Sequence, residues 1–390
     1  MRFAERLDQV SSSQTQEVLA TVQGLREEGV DIIDLGAGEP DFDTPDHIAR
    51  AAVTAIREGN TKYTPGAGIG RLREAVAQHY TNRTGVDFER NQVVVTSGGK
   101  QGLFNAALAL FGTGDEVVTH VPGWPSIGEQ IKLAGAELVQ VRTHLDNSFA
   151  IRAADVLERI SPRTRGVVIN SPVNPTGALM SEVELGLLVT EITGRDIWLV
   201  LDLCYEQLIY DSSPHNLIGV AASKMPDRTV VVGSASKSYA MTGWRCGWVV
   251  APKRVASACN LIQSHSTSHP TSISQYAALA ALSGPQECVE KMRNEYRRRR
   301  DFMIDRMSKD VRFRTAQPNG AFYLFPDVSD CLDPEGPRTS IEFVKHLLIN
   351  GHVAVTAGEA FDAPGYIRLS YAASLEKLEE AWERIQGCLE

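Results

Sequence analysis

Long apolar runs are missing from this 390-residue chain. No segment offers the uninterrupted ~20 apolar residues that a membrane-spanning helix needs, so a soluble protein is expected. A strong excess of one charge is missing too: 39 Lys and Arg against 48 Asp and Glu leave a net charge of −9. That balance argues against a general binder of nucleic acid or of anionic membranes, and any acidic substrate must be held by local positive groups. The six cysteines, at 204, 246, 259, 288, 331 and 388, lie far apart without a CxxC pair, and Met1 to Arg6 lacks the apolar core of a signal peptide. A reducing, cytoplasmic setting is expected, with neither a disulfide framework nor a metal site. HExxH, GxSxG and GxxxxGK[ST] do not occur, and Gly66-Ala67-Gly68-Ile69-Gly70 has no strand ahead of it. These absences weaken the zinc protease, serine hydrolase, P-loop and dinucleotide-binding readings. No internal repeat or low-complexity tract is found.

What is present is a series of short apolar runs set between helical patterns. They are Gln92–Thr96, Glu116–Val121, Glu137–Val141, Gly166–Asn170, Ile197–Leu201, Thr229–Val232 and Cys246–Val250. Consecutive β-branched residues suit strands covered on both faces, which predicts an α/β fold: a mostly parallel sheet with helices on both sides. The spacing predicts helices over Gln101–Phe111 and over Ser181–Thr193, the latter opened by a capping box of Ser181 and Glu184. From about Gly284 the pattern shifts to a long charged helix, short strands around Ala321–Phe325, Val353–Val355 and Tyr366–Ser370, and a last helix from Ser374. The chain exceeds the size at which one core stops growing. A large domain over 46–283 and a smaller α+β domain made of 1–45 and 284–390 are expected. The run Arg297–Arg300 is flanked by Glu287, Glu290, Glu295, Asp301 and Asp305, and reads as a solvated mixed-charge face rather than a nucleic-acid site.

Ser234-Ala235-Ser236-Lys237, with Arg245 eight residues on, follows the strand-like run Thr229–Val232. An amine among hydroxyls and a guanidinium suits an aldehyde that carries a phosphate, and pyridoxal phosphate is such a molecule. A single SxSK is ordinarily a solvated loop, so the reading needs company. Asp202 ends the apolar run Ile197–Leu201, where a carboxylate at the sheet's carboxyl edge can keep a pyridine nitrogen protonated. Asn174, in the turn-forming string Ser171-Pro172-Val173-Asn174-Pro175-Thr176-Gly177, and Tyr205 can hydrogen-bond the ring's phenolate oxygen. Ser97-Gly98-Gly99-Lys100 follows a strand and opens a helix, which presents backbone N–H groups to an anion. Trp124, at another strand end, can stack on the ring. Arg368, between Ile367 and Leu369, can clamp a carboxylate.

In order and approximate spacing, Asn174, Asp202, Lys237, Arg245 and Arg368 resemble the class I aminotransferases of PLP fold type I, over nearly the whole chain. The detail is similar to the prokaryotic aspartate aminotransferase branch. Matching strings are Gly38-Glu39-Pro40-Asp41-Phe42, Lys62-Tyr63-Thr64-Pro65, the 97–100 loop, Ala240-Met241-Thr242-Gly243-Trp244-Arg245 and Gly320-Ala321-Phe322-Tyr323. The resemblance implies that Lys237 bonds the cofactor and shuttles the substrate's α-proton, that Asp202 pairs with the ring nitrogen, and that Asn174 and Tyr205 hold the phenolate while Trp124 stacks on the ring. It implies phosphate binding by Ser97, Gly98, Gly99, Ser234, Ser236 and Arg245, with Tyr63 reaching over from the other subunit of a homodimer. Arg368, Asn174 and Gly38 would take the substrate α-carboxylate, and Lys100, Ser13 and Thr15 the distal carboxylate of aspartate or glutamate, with 2-oxoglutarate as acceptor.

The chain departs from the family pattern at Gly123, where Tyr is commonest, at Leu203, where Glu is usual, and at Cys246. Gly123 and Leu203 are expected to lie near enough to alter the pocket. An aromatic, prephenate or other specialised aminotransferase, or a carbon–sulfur lyase on the same scaffold, therefore stays open. A transcription regulator would need a DNA-binding region for which the chain has no spare N-terminal domain.

Overall fold

A computed structural model describes residues 4–11, 14–210 and 215–390. Strand β1 (Ile33–Asp34) comes first in the chain. Seven strands of one sheet follow: β2 (Val93–Thr96), β3 (Glu116–Val121), β4 (Glu137–Arg142), β5 (Thr164–Asn170), β6 (Trp198–Asp202), β7 (Thr229–Ser234) and β8 (Gly247–Val250). The last strands are β9 (Tyr323–Leu324), β10 (Val353–Ala354), β11 (Thr356–Ala357) and β12 (Ile367–Ser370).

In space the large sheet runs β2-β8-β7-β6-β5-β3-β4. Only β8 opposes its neighbours; the pairs from β7 through β4 are parallel. Every residue of β2, β3, β6, β7 and β8 is buried, because helices cover both faces and leave no side for polar alternation. All seven runs read from the sequence are strands of this sheet.

The parallel strands end at one edge in polar residues. Asn170 of β5 is in register with Asp202 of β6, and Asp202 with Val232 of β7. Since β8 runs the other way, its start, Gly247, lies at that same edge, opposite both Ser234 and Thr96. Arg245, two residues earlier, is thereby delivered beside the loops that follow β2 and β7.

Two short sheets, β1-β10 and β11-β12-β9, accompany a second apolar cluster that includes Leu35, Tyr296, Phe322, Tyr323, Phe343 and Trp382. The strand read over 321–325 shrinks to two residues, because Ala321 lies in the left-handed region at φ 59° and bends the chain before Tyr323.

Three local expectations are corrected. The helix read from Gln101 begins at Gly99. Ser181 caps the helix Glu182–Ile192 by accepting from Glu184 N–H, but the Glu184 carboxylate accepts from Ala153 N–H instead of returning to Ser181, so the box is half formed. The arginine run divides: Arg297 and Arg298 are exposed, whereas Arg299 and Arg300 are buried. Arg299 donates to Asp41 and Glu295, and Arg300 to Asp301 and the Pro318 carbonyl. A tertiary partner, Asp41, is what permits burial of Arg299.

Gly166 in β5 lies against Phe111, and a Cβ added at this position would sit only 2.4 Å from the ring. Gly166→Ala is expected to destabilise the protein by about 1–3 kcal/mol through overpacking, seen as a lower urea midpoint with an unchanged far-UV circular dichroism spectrum.

Candidate active site

A cavity of about 350 Å³ opens at this polar edge. Its walls come from the strand ends, including Asn170, Asp202 and Ser234, from Gly99, Lys100, Trp124 and Arg245, and from the segment Asp34–Glu39 with Tyr323 and Arg368.

Two buried charges face it without counter-ions among the described residues. Asp202, 1% exposed, accepts from Cys204 N–H at 3.2 Å and from the Cys204 thiol, and burial outweighs both and pushes its carboxyl up to about 6. Arg368, 3% exposed, donates to Asn174 Oδ1 at 3.0 Å and to the Gly36 carbonyl at 2.6 Å, and its Nε has no partner. Its guanidinium lies 4.5 Å above the Tyr323 ring. Neutral acceptors and ring faces orient this cation but do not neutralise it, so an anion is the missing partner.

Lys237 sits in a single turn, Ala235–Ser238, directly after β7. Its Nζ donates to the Gly38 carbonyl, and burial pushes the amine down to about 8. A sizeable fraction of it is therefore neutral near physiological pH, as a nucleophile or proton acceptor must be. Tyr205 OH lies 2.7 Å from Tyr323 OH, in the same wall.

Hydroxyls, amides and a guanidinium gather on the opposite side. Ser234 Oγ donates to Ser236 Oγ at 2.8 Å and accepts from Ser236 N–H at 3.0 Å. Gly98, at φ 79°, starts the helix Gly99–Leu110, and a Cβ there would meet Arg245 Nη2 at 2.6 Å. A Cβ on Gly99 would meet Cys204 Sγ at 2.6 Å. Only glycine leaves this helix N-terminus bare, and a bare N-terminus beside an arginine suits phosphate. A carboxylate in need of a cation, a partly neutral amine and an anion cradle together fit pyridoxal phosphate.

Not every expected residue lines the cavity. Ser97 turns its N–H to Gln101 Oε1 at 2.6 Å, and neither it nor Gly98 contributes to the wall. Tyr63 is 92% exposed, edge-on to His269, and lies outside it. Ser13 and the Thr15 side chain lie outside the described residues. Lys100 Nζ rests 5.0 Å from the Trp124 ring, its amine pushed down by burial and by nearby Arg245.

The expectation for Gly123 and Leu203 is corrected. Leu203 packs in the apolar core, 4% exposed, and Gly123 lines a neighbouring cleft of about 310 Å³ with Trp124. A Cβ at position 123 would meet the His120 carbonyl at 2.5 Å, so glycine is imposed there by the local backbone rather than by the pocket. Residues that line the cavity without a role having been read for them include Tyr323, Cys204, Asp34 and Asn170. Asn170 carried the same signal as Asp202: one polar residue closing an apolar strand.

A family model described as "Aminotransferase class I and II" matches residues 30–385. An aspartate aminotransferase of Geobacillus stearothermophilus is 42% identical over 390 residues, 100% of this chain and 99% of that one. A probable aspartate/prephenate aminotransferase of Aquifex aeolicus is 40% identical over 390 residues, covering 100% of this chain and 98% of its own. A structure of the Thermus thermophilus aspartate aminotransferase with maleate superposes with a TM-score of 0.93 at 39% identity, covering 100% of both chains.

Because burial raises the Asp202 carboxyl, its charge opposes folding above about pH 6, and the penalty fades as pH falls toward its ordinary value of 3.8. Asp202→Asn is expected to stabilise the cofactor-free protein by about 2 kcal/mol at pH 8 and by almost nothing near pH 4. The same variant should hold pyridoxal phosphate more weakly. Thermal melts of the two cofactor-free proteins across pH check the first part, and cofactor titration the second.

Proposed function

The chain belongs to the class I and II aminotransferases and is a pyridoxal-phosphate-dependent enzyme, and we propose that it moves the α-amino group of aspartate or glutamate to a 2-oxo acid such as 2-oxoglutarate by a ping-pong sequence. The observation that carries this reading is the pair of buried charges, Asp202 and Arg368, without counter-ions among the described residues and facing one cavity with the Lys237 amine.

When bound, pyridoxal phosphate withdraws electrons from the substrate α-carbon. In this reading Asp202 holds a proton against the ring nitrogen, with its own raised pKa relieved by the cation it gains. Asn174 and Tyr205, in the cavity wall, would hydrogen-bond the phenolate oxygen, and Trp124 would stack on the ring. Gly99, Ser234, Ser236 and Arg245 would hold the phosphate, with Gly98 leaving room for the Arg245 guanidinium and Ser97 supporting the loop through its bond to Gln101. Arg368, with Asn174 and the Gly38 backbone, binds and orients the substrate α-carboxylate so that the α-hydrogen faces Lys237. Lys237 then removes that proton, a role its lowered pKa suits.

Lys100 is the cation for the distal carboxylate, and Ser13 and Thr15 are assigned to the same carboxylate from the sequence resemblance alone. Support comes from the position of its Nζ over Trp124 in the cavity wall and from the maleate, a dicarboxylate, held by the Thermus neighbour. Tyr63 serves the site of a second subunit in a homodimer; an aromatic side chain 92% exposed supports an interface there. Six free cysteines suit a reducing, cytoplasmic compartment. A second reading, prephenate as an additional amino-group acceptor, is favoured by the name of the Aquifex relative.

Single-turnover reactions of the yellow holoenzyme with aspartate, glutamate, phenylalanine, tyrosine and alanine test the assignment. Fast bleaching by the two acidic donors is expected; preference for an aromatic donor would overturn the role of Lys100. Lys237→Ala should retain cofactor but lose transamination, and wild-type turnover would sink the proposal. Arg368→Ala should lower kcat/KM by about 30-fold or more for every donor, since a buried carboxylate partner is lost. Lys100→Met should lower it about tenfold for aspartate and spare alanine.

A further inference from the structure

We propose that Asn170 is a positioning residue that sets the carboxylate-binding pair Asn174 and Arg368 against Asp202. The proposal rests on the reading of that pair given above. Asn170 closes β5, is 1% exposed and lines the cavity. Its Oδ1 accepts from Asn174 N–H at 3.0 Å, and its Nδ2 donates to the Asp202 carbonyl at 3.3 Å. Each side of the amide therefore meets its complement, and a flipped amide would set donor against donor and acceptor against acceptor. The Asp202 carbonyl also accepts from Ser171 N–H at 3.0 Å, so the turn that begins at Ser171 is anchored twice to the strand that carries the carboxylate.

The bridge is held from behind. Asn170 N–H donates to His120 Nε2 at 3.2 Å in β3. That ring is buried and pushed down to about 4, so it is neutral at pH 7, and because Nε2 accepts from Asn170 its proton is on Nδ1. In front, Asn174 Oδ1 accepts from Arg368. A continuous chain of hydrogen bonds thus runs from His120 through Asn170 and Asn174 to Arg368, with a branch to Asp202. Removing the Asn170 amide frees the Asn174 turn to drift from the strand, and the guanidinium loses its fixed distance from Asp202.

The test measures aspartate affinity and maximal rate separately, by saturating the single-turnover reaction of the holoenzyme, for wild type, Asn170→Ala, Asn174→Ala and the double variant. Asn170→Ala is expected to weaken aspartate about tenfold, mainly in affinity, and to change it less than about twofold once Asn174 is already alanine, because both act through one path. Equilibrium titration with maleate, followed by cofactor absorbance, should show the same non-additivity. Two results overturn the proposal: affinity within about twofold of wild type in Asn170→Ala, or an equal loss in both backgrounds, which marks a merely structural role. Should Asn170→Ala fail to fold, Asn170→Ser, which keeps one hydrogen-bonding group, is compared in the same cycle by the same criteria. If Asn174→Ala alone leaves aspartate affinity unchanged, the carboxylate reading falls and takes this inference with it; a normal loss there with none at Asn170 removes this inference alone.

Discussion

Two ionic side chains of opposite sign, buried at the edge of one sheet and each lacking a counter-ion among the described residues, set the terms for this molecule. Asp202 and Arg368 oppose folding of the empty protein, since each has given up water for partial compensation. The surrounding structure over-determines both. Asp202 is fixed by pairing of its strand on both sides, and Arg368 by Asn174, Gly36 and two aromatic faces. Ligands carrying the complementary charges recover what the empty fold leaves unsatisfied, which joins binding energy to charge placement.

Topology explains why the charges converge. Parallel strands deliver their carboxyl ends to one side, and the antiparallel β8 brings its beginning to that side as well. Lys237, from the turn after β7, and Arg245, from the turn before β8, are eight residues apart in the chain and line the same cavity. The helix Gly99–Leu110 points its N-terminus there because β2 ends there. A sheet edge where connections diverge is the natural ligand site of such a fold.

The second apolar cluster contributes the other wall. Tyr323 and Arg368 reach the cavity from β9 and β12, while Arg299 on the long helix ties down Asp41, three residues from Gly38. Gly38 in turn accepts from Lys237, so the amine bridges segments 199 residues apart in sequence. Charge on that long helix, which read as a solvated face, is partly devoted to holding the loop that carries Gly38.

The sequence by itself determined the strands, because apolar β-branched runs covered on both faces have few alternatives, and it determined the chemical set of Asn174, Asp202, Lys237, Arg245 and Arg368, whose residue types and order already suit one cofactor. The family was legible for the same reason. What only the tertiary structure decided was proximity and burial. That Arg299 and Arg300 are buried follows from partners such as Asp41 and Pro318, which no local pattern reveals. That Gly123 serves the backbone and Leu203 the core follows from where His120 and the core residues lie. That Arg368 has no acidic partner among the described residues, and that Asn170 links Asn174 to Asp202, are facts of three-dimensional packing. Local sequence controls periodicity and propensity, whereas desolvation and hydrogen-bond geometry depend on atoms brought together from distant parts of the chain.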